Sequence, residues 1–175
     1  MPRPQQRRRV ALLLGVAVLL APALAHGQTS MPEPAAPNFE AILLAEAKVT
    51  RAVKSALRTD RAGAAAAAFG DLTGDGVSDA VVLVNVPGAA GAVAAYVLSA
   101  HGSKGGKLRV IFSSQSLYRA FVRVGRGALV VLTPTYARGD DVCCPGALLE
   151  RTYVYDRAAR SFRRTASRPV ERAAG

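Results

Sequence analysis

Ala120-Phe121-Val122-Arg123-Val124-Gly125-Arg126-Gly127-Ala128-Leu129-Val130-Val131-Leu132-Thr133 decides the fold class: two Val- and Leu-rich runs of strand length stand either side of a Gly-Arg-Gly turn. Runs this closely joined must pair antiparallel, because a parallel return needs a crossover of roughly a dozen residues or more. The same texture extends in both directions. Val81–Val86, Ala92–Ser99, Leu108–Ser113 and Arg151–Asp156 are further short runs rich in Val, Leu, Tyr or Phe, separated by Gly, Pro, Ser and Asp. Ala64–Phe69 is ambiguous, its alanines favouring helix and its place before a loop favouring a short strand. Upstream, Asn38 is placed to cap a helix, and Phe39, Ile42, Leu43, Val49, Val53 and Leu57 recur at helical spacing. The expectation is an α+β domain over residues 38–166, one amphipathic helix from Phe39 to about Arg58 followed by an antiparallel sheet of about six strands.

The chain has 175 residues, the size of one domain, and 34 of them are Ala, so its 50% hydrophobic content overstates the core. Arg3, Arg7, Arg8 and Arg9 precede the apolar run Val10–Leu20, and Ala23-Leu24-Ala25 offers small residues where a signal peptidase cuts. That layout predicts a signal peptide over residues 1–25 and an exported protein, by the secretory or the twin-arginine route. Pro22 breaks the run too early for a membrane span. Residues 26–37, rich in Pro, Ser, Thr and Ala, read as a disordered tether.

Lys and Arg number 23 against 12 acids. Loss of the four signal arginines leaves 19 against 12, a net charge of +7. An exported basic protein meets anionic cell-envelope polymers, whereas nucleic acid is not expected, because no aromatics interleave with the basic residues. Arg157, Arg160, Arg163, Arg164, Arg168 and Arg172 close the chain and read as a solvated last strand that frays, with 167–175 a basic disordered tail.

Phe69-Gly70-Asp71-Leu72-Thr73-Gly74-Asp75-Gly76-Val77-Ser78-Asp79-Ala80-Val81-Val82 carries the strongest chemical signal. Alternate residues of a tight loop turn Asp71, Thr73 and Asp75 inward, Gly76 permits the bend, and the Val77 carbonyl with the Asp79 carboxylate would close a shell of oxygens, the donor set calcium requires. The competing expectation is an Asp- and Gly-rich turn whose carboxylates cap their own backbone. The stretch resembles the calcium loops of FG-GAP and VCBS repeats, except that Thr73 stands where they carry Asp or Asn. The likeness covers about 20 residues and implies calcium as the cofactor. It does not import a propeller, which needs at least about four blades. With Cys143-Cys144-Pro145 ahead of Tyr153-Val154-Tyr155, the chain also looks like small uncharacterised exported bacterial proteins, which imply no activity.

Cys143 and Cys144 are the only cysteines, so an oxidising compartment leaves a bond between neighbours as the only intrachain disulfide. Such a ring either shapes the loop ahead of Pro145 or serves as a reducible switch. No Gly-x-Ser-x-Gly elbow is present, and His101 is the only histidine within 38–166. These features favour a non-enzymatic binding or structural role. A redox-active or hydrolytic envelope enzyme using Cys143 and Cys144, and a basic module binding anionic polymers, are the alternatives.

Overall fold

The computed structural model describes residues 37–88 and 91–171. The expected signal peptide and all of the tether but its last residue lie outside them. Two short helices, α1 (Phe39–Ala45) and α2 (Arg51–Arg58), precede eight strands: β1 (Gly63–Gly70), β2 (Asp79–Val86), β3 (Gly91–Ser99), β4 (Arg109–Ser114), β5 (Phe121–Gly125), β6 (Ala128–Thr135), β7 (Ala147–Asp156) and β8 (Ser161–Glu171). They form two antiparallel four-stranded sheets in simple succession, β1-β2-β3-β4 and β5-β6-β7-β8. No helix among the described residues is long and apolar enough to cross a membrane.

This overturns the α+β expectation of one helix followed by one sheet of about six strands: the protein is mostly β, with two sheets and only two short helices. The physical reason lies in the first sheet, which is covered on both faces. Ala80, Val82, Val84, Ala94, Tyr96 and Leu98 pack under Leu43, Val53 and Leu57 of the helices. Their alternates Val81 and Val97, with Leu72 and Phe112, pack against Leu129 and Val131 of the second sheet. Helices, first sheet and second sheet therefore make three layers and two cores. The sheets separate after β4, where residues 115–120 hold the start of β3 through Leu117 N–H to Val93 O (2.8 Å) and Ala120 N–H to Ala92 O (3.1 Å) instead of pairing β4 with β5.

The expected helix Phe39–Arg58 is two helices. Glu46 is extended (φ −82°, ψ 132°), and the Thr50 hydroxyl accepts from Val53 N–H to start a new helix. Gln115 pins the break by accepting from Thr50 N–H (3.0 Å) and donating to Lys48 O (3.1 Å). The ambiguous alanine run is strand β1, where pairing with β2 overrides alanine's helical preference. The tail expected from Ser167 is strand β8 as far as Glu171, held by its ladder to β7; residues 172–175 lie outside the described residues. Between β5 and β6, Arg126 (φ 50°) and Gly127 (φ 71°) are both left-handed, the turn that suits the twist of a two-residue hairpin.

Glu150, 8% exposed on the face of the second sheet turned away from the first, accepts from Arg123 (2.7 Å) and Arg168 (2.9 and 3.0 Å). Both arginines are largely exposed, which screens the attraction. Glu150→Ala is therefore expected to lower the urea unfolding free energy by only about 1 kcal/mol, and by less at high salt. A loss several-fold larger would mean that the carboxylate supports packing beneath it.

Candidate functional site

The loop from Asp71 to Asp79 joins β1 to β2 and is built on its own carboxylates. Asp71 Oδ1 accepts from Gly74 N–H (2.6 Å) and Asp75 N–H (3.1 Å), and its Oδ2 from Gly76 N–H (3.0 Å). Asp79 Oδ2 reaches back to Leu72 N–H (2.9 Å) and Thr73 N–H (3.0 Å). Asp75 Oδ1 accepts from Val77 N–H (2.9 Å). Gly74 and Gly76 are left-handed (φ 70° and 85°), which lets successive N–H groups turn toward Asp71. The Asp- and Gly-rich self-capping turn of the sequence is thus present.

Of the residues expected to meet calcium, Asp71, Thr73, Asp75 and Asp79 are gathered into one loop, while the Val77 side chain points to solvent at 56% exposure. Among the described residues no three carboxylate, imidazole or thiolate side chains cluster closely enough to hold a metal by themselves. A cation here would need hydroxyl and carbonyl oxygens as well. Of the two buried side-chain atoms without a partner among the described residues, Thr73 Oγ1 and Ser103 Oγ, the first belongs to this loop. Thr73 is 2% exposed, and its Oγ1 approaches the Asp75 carboxylate without closing a hydrogen bond.

Two distant residues join the loop. His101 Nδ1 lies 2.9 Å from Asp75 Oδ2, its ring edge-on to Tyr155 at 5.9 Å. The Val77 N–H first, and His101 second, hold the Asp75 carboxyl below its ordinary value of 3.8. Arg157, in the β7–β8 turn, donates to the carbonyls of Thr73 (3.2 Å) and Gly74. The second sheet therefore braces a loop of the first. Nothing in the sequence signalled either residue, since 26 positions separate His101 from Asp75 and 84 separate Arg157 from Thr73.

At the other end of the sheets Cys143 and Cys144 are bonded to each other, and no free cysteine remains. Asp140 closes that loop by accepting from Ala137 N–H and Gly146 N–H (both 2.8 Å), which lowers its carboxyl below 3.8. Tyr136 Oη (3.0 Å) and Arg119 both donate to Val142 O. Cys143 borders a shallow cleft with Arg119, Phe121 and Tyr136. No histidine, lysine or metal ligand faces the disulfide in that lining.

The fold and loop define a two-sheet β domain with a helical cover and an acidic, self-capped turn. Comparison with family models, curated proteins and solved structures returns no match for this chain.

Proposed function

We propose that this is an exported, non-catalytic binding domain whose 71–79 loop takes calcium, with Asp71, Thr73, Asp75, the Val77 carbonyl and Asp79 as its oxygen donors. Export rests on the arginines at 3 and 7–9 and the apolar run Val10–Leu20. The calcium reading is supported above all by the Thr73 hydroxyl. Burying a hydroxyl with no partner costs about 1–3 kcal/mol, and a cation among these oxygens removes that cost. The left-handed Gly74 and Gly76, which bend the chain so that Asp71, Thr73, Asp75 and Asp79 share one tight loop, support the same reading. Calcium would then act structurally, tying the β1–β2 connection to the Arg157 turn of the second sheet.

Titration calorimetry with calcium tests this. The wild type is expected to give a saturable heat, Asp75→Ala to abolish it, and Thr73→Asp, which turns a hydroxyl into a carboxylate, to tighten binding roughly tenfold. Thr73→Val separates ligand from filler: it should weaken calcium binding while raising the stability of the calcium-free protein, because it removes the orphaned hydroxyl. No heat from the wild type would end the calcium reading.

A further inference from the structure

Four connections meet at one end of the two sheets: the 71–78 loop, the β3–β4 connection carrying His101, the β5–β6 turn and the β7–β8 turn. Gly127 of the third lies beside the Asp71 carbonyl, Arg157 of the fourth holds the Thr73 and Gly74 carbonyls, and His101 of the second contacts Asp75. Both hairpin turns carry an arginine in the left-handed region, Arg126 at φ 50° and Arg160 at φ 49°, where glycine or asparagine is favoured. Each is exposed, as are Arg157 and Arg163.

The same end exposes large apolar side chains. Val77 at the loop tip is 56% exposed, while Phe69 (63%) and Val154 (38%) flank this end on opposite outer faces, one beside the helices and one on the far side of the second sheet. A soluble polyanion would use the arginines and leave these in water. A surface with charged headgroups above an apolar interior uses both. The carboxylates of Asp71 and Asp75 oppose such a surface, and a cation bound among them cancels that repulsion.

We infer that this end docks on an anionic phospholipid surface. Arg126, Arg160 and Arg163 meet the headgroup phosphates, Val77 enters the acyl boundary, and calcium in the 71–79 loop switches docking on. The switch rests on the calcium reading above; the basic and apolar face does not.

Flotation of the purified protein with vesicles of phosphatidylcholine, alone or mixed equally with phosphatidylglycerol, tests the inference in calcium and in chelator. Binding is expected on the mixed vesicles in calcium, and to be at least about tenfold weaker in chelator and on the neutral vesicles. Arg126→Glu with Arg160→Glu should cost at least about tenfold in vesicle affinity and leave the calcium heat intact. Neither substitution asks more of the turn backbone than arginine does, and an unchanged urea midpoint confirms folding. Val77→Asp should weaken vesicle binding when compared at calcium concentrations that saturate its own calcium heat. A calcium heat without vesicle binding overturns the docking face and spares the calcium site. Equal binding in calcium and chelator, with no calcium heat, overturns the switch. Binding indifferent to Val77→Asp and fully competed by soluble polyphosphate assigns the face to a polymer and overturns the lipid surface.

Discussion

Asp79→Ala is expected to lower the unfolding free energy by about 2–6 kcal/mol in calcium-free buffer, against a total of about 5–15 kcal/mol for a domain of this kind. Asp79 is 1% exposed and opens β2, where it pairs with Gly70. Its Oδ2 accepts from two successive backbone N–H groups, Leu72 and Thr73, at 2.9 and 3.0 Å. Leu72 and Thr73 are themselves buried, so alanine would leave two donors with neither carboxylate nor full access to water. Each orphan costs about 1–3 kcal/mol. Leu72 also belongs to the core between the sheets, so releasing its N–H loosens the contact that joins them. Asp79→Asn keeps an oxygen in place and loses the charge, and should cost about 1–2 kcal/mol. Urea unfolding in chelator measures both. Wild-type stability for Asp79→Ala under those conditions would mean that the carboxylate is idle without an ion, and would move Asp79 from a structural cap to a dedicated ligand.

The residues that sequence placed well are those whose partners lie close along the chain. Gly125-Arg126-Gly127 specifies its hairpin locally, and the Asp71, Asp75 and Asp79 spacing specifies a loop that caps itself whatever surrounds it. Strand texture was legible at Val81–Val86 and Ala92–Ser99, but sheet membership was not. An apolar run buried on both faces reads the same whether its second cover is helix or another sheet. Here Val82 and Val84 meet helices while Val81 meets the second sheet. The break after Ser114 is marked only by the short segment 115–120, whose length equally suits a hairpin loop, which is why one sheet was expected. Strand β8 was legible only as a solvated last strand that frays from Ser167: apart from Phe162 and Val170 it shows mainly arginines and small residues, and its register with β7 carries it on to Glu171. At the site, His101 and Arg157 escaped notice because each reaches the loop from a connection far along the chain, His101 from within the first sheet and Arg157 across the gap from the second.

Tyr96→Ala is expected to cost about 3–5 kcal/mol, and Tyr96→Phe about 1 kcal/mol. Tyr96 is fully buried in central strand β3, in the core shared with Leu43, Leu57, Val82 and Val84. Its ring fills the space beneath the helices, and alanine leaves a cavity that two crossing layers close poorly. Its hydroxyl donates to Gln115 Oε1 at 2.8 Å, the oxygen that also accepts from Thr50 N–H at the start of α2. Phenylalanine therefore removes one bond without orphaning Gln115. Burial pushes the phenol up from 10.0 to about 12, so the folded state keeps its proton where the unfolded chain has begun to lose it. The sign follows: the contribution is fully present below pH 10 and is lost as pH rises from there through about 12. Stability measured across that window should fall more steeply for the wild type than for Tyr96→Phe. Parallel curves would mean that the phenol is hydrated in the folded state. A cost for Tyr96→Phe close to that of Tyr96→Ala would instead show that the helices are held to the sheet mainly through Gln115, with ring volume secondary.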